Sequence, residues 1–278
     1  MKLRRIQAAF TLIELLVVIA IIGIIAGMVG PTLLNFRKGD AMLAATRMML
    51  DGVARARQLA ISQHTTVYMV FAPTNFWADT AYGSGGNANL TQADKDAVTN
   101  LLEKQLTGFA FVSLRSIADQ PGQPTAKYLS SWQTLPDKAF IAEWKFNLAV
   151  DAFTTIPDGN GGAPFQVAGF NTATNIPFPL AVTKPYTPGT RSYVALPYIA
   201  FDYTGQLISA LPNADGEFIP LAHGSVSPVF DKATRRPVFD APSVQEQPPG
   251  NSGPGTAYNL IHIDKFTGRA RLEHQKVK

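Results

Sequence analysis

Glu14 is the residue of this chain whose placement most needs a chemical explanation. It stands near the start of "AAFTLIELLVVIAIIGIIAG", residues 8–27, and the 22 residues from Leu15 to Phe36 carry no charge. A carboxylate taken into hydrocarbon costs ~2.5–3.5 kcal/mol on insertion scales, so it calls for a cationic partner or for headgroups within its reach. The other chemistry-bearing groups are scattered. His262 and Asp264 would share one strand face, a geometry that could hold a metal but seldom does. In "PDGNGG", Asp158 and Asn160 offer oxygen ligands to calcium, but the calcium-loop spacing breaks at Gly162 and a plain turn accounts for the same residues. No GxSxG, HExxH or GxxxxGK[ST] pattern occurs, and "GSGG" at 83–86 lacks the lysine of a phosphate-binding loop. With no cysteine there is no thiolate nucleophile, thiolate metal site or disulfide. Neither an enzyme nor a bound cofactor is expected.

The element that carries Glu14 must be a helix of unusual character. Leu15 to Phe36 would extend about 33 Å at ~1.5 Å per residue, against a hydrocarbon core of ~30 Å, so the segment is long enough to span a bilayer. Lys2, Arg4 and Arg5 precede it without an acid, whereas Arg37, Lys38 and Asp40 nearly balance after it. That asymmetry keeps the N-terminus cytoplasmic and sends the rest outward. A cleaved secretory signal would need small residues two apart at the far end of the run, and Ala20, Gly23, Ala26, Gly27 and Gly30 contain no such pair. Gly23 with Gly27, and Ala26 with Gly30, are four apart, the spacing that lets helices approach closely. Pro31 removes the amide that would bond the carbonyl of Gly27, so a kink or loosened turn is expected there.

These residues carry a resemblance. "AFTLIELLVVIAIIGIIAG" is similar to the N-terminus of type IV pilins and type II secretion pseudopilins. The resemblance implies that a membrane peptidase removes residues 1–9 by cutting between Ala9 and Phe10, where the family usually has Gly before the cut. It implies N-methylation of Phe10, and it makes Glu14 the fifth residue of the mature chain. The new α-amino cation of one subunit would then pair with Glu14 of its neighbour inside a filament. Two charges that are costly alone become tolerable together, and the pair sets register between helices. The partners so implied are other pilins or pseudopilins, the prepilin peptidase, and an inner-membrane assembly platform with a cytoplasmic ATPase. The location so implied is the bacterial inner membrane, with the head outside, and later a periplasmic or surface filament.

Past Pro31 the helical period continues as "AMLAATRMMLDGVARARQLAISQ", residues 41–63. Met42, Leu43, Thr46, Met49, Leu50, Val53, Ala56 and Ala60 form one stripe, and Arg47, Asp51 and Arg55 a charged row. This half should lie on a folded head. Of the 20 prolines, 19 follow residue 64, which favours short strands and loops over a helical bundle. Strands are expected at 65–71, 108–114, 138–146, 192–208 and 216–222, and a helix over 92–106 after a Thr91/Asp94 capping box. "NLIHID" and "RARLEH" around "KFTG" predict a terminal hairpin with Gly268 at positive φ. Residues 240–257, dense in Pro, Gly and Ser, are expected to be an exposed loop. The fold class is therefore α+β, a long N-terminal helix on a β-rich, mainly antiparallel head. Its segments are a leader (1–9), an assembly helix (10–36), an amphipathic half (37–63) and a head (64–278). The order of these stretches, with "IAFDYTGQL" and "IHIDKFTGRARLE" late in the chain, is similar to the H-type minor pseudopilins.

The formal net charge of +4 owes three positive charges to residues 2–5, so the rest is nearly neutral. Nucleic-acid binding by bulk electrostatics lacks its dense basic surface. Lys232, Arg235 and Arg236 come nearest to one and fit a solvated turn. Two function classes stay open: a structural filament subunit, and an adhesin or ligand- or DNA-binding minor pilin for which the filament is a carrier.

Overall fold

The structure, a computed structural model, describes residues 12–74, 76, 92–115, 119, 126–149, 152–158, 162–172, 176–177, 193–194, 196–209, 215–253 and 259–273; within these, the side chains of 26–40, 92–95, 97, 177 and 193–194 are left out. In chain order the first elements are α1 (Leu12–Ser62), β1 (Val67–Phe71), α2 (Gln92–Leu102), β2 (Gly108–Ser113), β3 (Lys127–Tyr128), β4 (Gln133–Thr134), β5 (Ala139–Ile141) and α3 (Trp144–Asn147). There follow β6 (Phe153–Ile156), β7 (Phe165–Ala168), β8 (Ile176–Pro177), β9 (Tyr193–Val194) and β10 (Tyr198–Phe201). The chain closes with β11 (Gly216–Ser227), β12 (Ser243–Glu246), β13 (Asn259–Asp264) and β14 (Ala270–Glu273). Met1–Ala41 and Met42–Lys278 form two compact units, so the second half of α1 belongs with the head.

The head is α+β with antiparallel pairing throughout its described ladders. One sheet runs β10-β1-β2-β3 with β4 also on β2, and a second runs β12-β11-β13-β14 with β5 also on β11. Ala45, Met49, Val53, Ala56 and Ala60 of α1 pack into one core with Val67, Met69, Phe71, Phe109, Phe111 and Ile199 of the first sheet and Ile219, Leu221, Ile261 and Ile263 of the second. Val70, Ala110, Val112 and Ala200, on the opposite face of the first sheet, pack with Val98, Leu101 and Leu102 of α2. Because both faces of β1 are covered, "VYMVF" is apolar without strict alternation. The amphipathic stripe of α1 is largely the buried side, and Arg47, Asp51 and Arg55 are exposed. Leu43 departs from the expected stripe and is exposed. Thr46 is buried, its hydroxyl donating to Met42 O at 2.8 Å and accepting from Asn259 Nδ2 at 3.0 Å.

Two strand expectations and one loop expectation are corrected. The run at 138–146 is a strand only over Ala139–Ile141 and then turns into α3. The amide of Ala142 donates to Pro220 O at 3.0 Å, but Pro220 has no N–H to return, so the ladder with β11 ends there. The run at 192–208 is divided into β9 and β10 on either side of Pro197, and after Phe201 the carboxylate of Asp202 accepts the amides of Thr204 and Gln206, each at 2.9 Å, closing a turn. Residues 240–257 contain a strand, β12, which pairs Ser243–Glu246 with the end of β11. Its alternating half-buried and exposed residues make an edge strand that a Pro, Gly and Ser count hides. The terminal hairpin forms as expected. Gly268 sits at φ +62°, and a Cβ there would lie 2.1 Å from Gly205 O, so both conformation and space demand glycine.

Candidate functional site

The N-terminal part of α1 presents the most unusual surface in the described chain. Leu12, Ile13, Leu15, Leu16, Val17, Val18, Ile19, Ile21, Ile22, Ile24 and Ile25 are all exposed, from 46% at Val18 to 84% at Leu12. At ~100° per residue, the five consecutive residues Leu15–Ile19 sweep more than a full turn, so this segment is apolar and uncovered in every direction. An amphipathic helix would hide one stripe on its own domain; this one needs an apolar environment all round. Glu14 lies in the first turn and is exposed among these side chains, where the positive end of the helix dipole favours a carboxylate. A Cβ built on Gly23 meets nothing within 4 Å, which leaves a shallow notch for another backbone. Among the described residues no helix is long and apolar enough to cross a membrane, and the segment 15–36 falls partly on the stretch 26–40, whose side chains are outside the description.

The sequence candidates therefore divide. Glu14 and Gly23 are on the exposed helix. Gly27, Gly30 and Pro31 lie within α1, which runs through them, but their side-chain surroundings are outside the described residues, as are Ala9 and Phe10 altogether. Asn160 is likewise outside. Asp158 Oδ2 accepts the amide of Gly162 at 2.9 Å, a turn contact. His262 Nδ1 lies 3.2 Å from Glu273 Oε1, and its ring stacks on Phe218 at 4.5 Å. Asp264 is occupied elsewhere: its carboxylate accepts the Thr267 amide at 2.7 Å and hydroxyl at 2.8 Å, which hold it below the usual carboxylate range. The pair thus serves the hairpin and the sheet separately. Among the described residues no three His, Asp or Glu side chains gather as a metal would require. Lys232, Arg235 and Arg236 are exposed on a turn whose Asp231 accepts the Ala233 and Thr234 amides.

Two features of the head escaped sequence reading. Lys145 is fully buried and paired with Glu217; it also donates to Ala168 O at 2.6 Å and lies 4.5 Å from the Phe170 ring centroid. Burial pulls its amine below the ordinary lysine value, opposed by the Glu217 carboxylate. The second is a cavity of about 510 Å³ lined by Phe153, Phe165, Gln166, Asp215, Phe218, His262 and Arg271. No motif marks it, since its residues come from five strands, β6, β7, β11, β13 and β14, and from the loop before β11.

Residues 4–30 match the family described as the prokaryotic N-terminal methylation motif. Neither the curated proteins nor the solved structures contain a match to the chain. The matched residues take in the cut expected after Ala9, Glu14 and the whole uncovered apolar segment. The chain accordingly bears a prepilin-type N-terminal segment, which supports the resemblance to type IV pilins and pseudopilins.

Proposed function

We propose that this protein is a minor pilin-like structural subunit, a pseudopilin of a type II secretion or type IV pilus-type filament, closest to the H-type minor pseudopilins. The observation that carries the proposal is the helix of exposed apolar side chains on every side, coincident with the methylation motif. In this reading the peptidase cuts between Ala9 and Phe10, Phe10 is methylated, and the chain waits in the inner membrane with its head outside. The helix then passes from lipid to a sheath of sister helices. Moving about 15 such side chains through water would cost on the order of 20–45 kcal/mol, at ~1.5–3 kcal/mol each, so direct transfer into a filament core removes most of the barrier. Glu14 meets the α-amino group of a neighbour and fixes register, while Gly23, Gly27 and Gly30 admit close helices and Pro31 loosens the rod. The reading assigns no catalytic role and no cofactor.

Glu14→Leu tests it. Membrane insertion should persist while incorporation into filaments, measured by shearing and immunoblotting, falls severalfold. Mass spectrometry of the mature protein should find an N-terminal methylated Phe10. Normal incorporation of Glu14→Leu, or an intact leader in cells with an active prepilin peptidase, overturns the proposal.

A further inference from the structure

We propose that the head binds a neutral saccharide in the cavity between the β6–β7 hairpin and the outward face of the β11–β13–β14 sheet. The register pairs Phe218 with His262 and His262 with Arg271, so these three side chains form a row across one face, opposite the face that packs on α1. Gly216 lies on the same face one pair along. A Cβ there would come within 2.0 Å of Ile263 O and 2.9 Å of His262 Nε2, so glycine lets β11 and β13 approach beside His262. The hairpin forms the opposite wall, with Phe153 paired to Ala168 and Gln166 to Thr155. Phe165 leans on Phe218 with ring centroids 5.6 Å apart. Phe153 remains 45% exposed, an aromatic ring the core does not use.

The chemistry of the wall selects the ligand. Phe218 is buried between His262 and Phe165 and forms the apolar base, while the more exposed Phe153 and Phe165 supply aromatic surface, whose negative quadrupole suits the C–H bonds of a sugar ring. Polar groups surround them: Gln166, Asp215 and Arg271. Arg271 is 68% exposed on its side chain, and its Nε donates to Glu273 at 2.6 Å. With Asp215 also on the wall, the guanidinium's charge is balanced, so an anionic ligand gains little. Donors and acceptors beside flat apolar surfaces instead fit a ligand with hydroxyls on its edge and an apolar face. The volume, about 510 Å³, lies in the range of ordinary ligand sites. This inference is independent of the assembly reading.

Saturation-transfer NMR on the full chain, in a zwitterionic detergent without a sugar headgroup, tests it with D-glucose, D-galactose and N-acetyl-D-glucosamine, their methyl glycosides, and benzoate as the charged aromatic control. At least one sugar should receive saturation, and Phe153→Ala and Arg271→Ala should each weaken its binding about tenfold or more, whereas Phe153→Tyr retains it. Preference for the methyl glycoside would assign the end of a glycan chain rather than a free sugar. Silence from every sugar, transfer to benzoate alone, or unchanged sugar binding in both weakened variants overturns the proposal. Filament incorporation of Phe153→Ala stays normal, which keeps this test separate from that of assembly.

Discussion

Replacing Lys145 by methionine would leave Glu217 buried with, among the described residues, one remaining donor, the amide of Phe218 at 3.1 Å. The lysine would take away its bond to the carboxylate and its bond to Ala168 O, while methionine keeps most of the side-chain volume. Removing one partner of a buried ion pair costs ~3–5 kcal/mol, because the charge left behind is buried without compensation, and the lost bond to Ala168 O is part of that cost. Removing the carboxyl as well, in Lys145→Met/Glu217→Leu, should restore most of the stability. Urea unfolding of the full chain in detergent micelles, followed through tryptophan fluorescence with Trp144 beside the site, measures all three. A loss below about 1 kcal/mol in Lys145→Met, or no recovery in the double variant, would refute the claim that an uncompensated carboxylate governs this region.

Gly268→Ala forces a Cβ against Gly205 O at a positive φ and should cost at least about 1–3 kcal/mol; a urea midpoint unchanged from the native protein would show that the two turns do not pack as described. Burial holds the His262 imidazole below its ordinary value, with Arg271 adding to the effect and the Glu273 hydrogen bond and the Asp264 charge opposing it. Its contribution is therefore complete above the unfolded value of about 6.5 and declines as pH falls below it, because the unfolded chain takes the proton first. His262→Gln should flatten stability against pH between about 7.5 and 5, and an identical slope in native and variant protein would count against a buried neutral histidine.

Much of the architecture was legible because local rules decided it. The amphipathic period of residues 41–63, the β-branched and aromatic run at 67–71 and the Gly268 turn each concern neighbours in sequence. The strand at 138–146 was read too long because its end depends on Pro220, a residue about eighty positions away whose missing amide only the sheet brings opposite Ala142. β12 was missed for a related reason. An edge strand needs only one partner and few apolar residues, so its identity rests on β11 rather than on its own composition.

The sequence by itself determined that one segment, Leu15 to Phe36, needs an apolar surrounding, because no charge interrupts it and no polar face offers a stripe to solvent. It also singled out Glu14 as the group that needs a partner there. Only the tertiary structure decided what the head's scattered polar residues do. Lys145 meets Glu217, Asp264 holds a turn while His262 lies in the sheet, and Phe153 and Arg271 come to one cavity, because strand register sets which distant side chains share a face and burial sets what each must pair with.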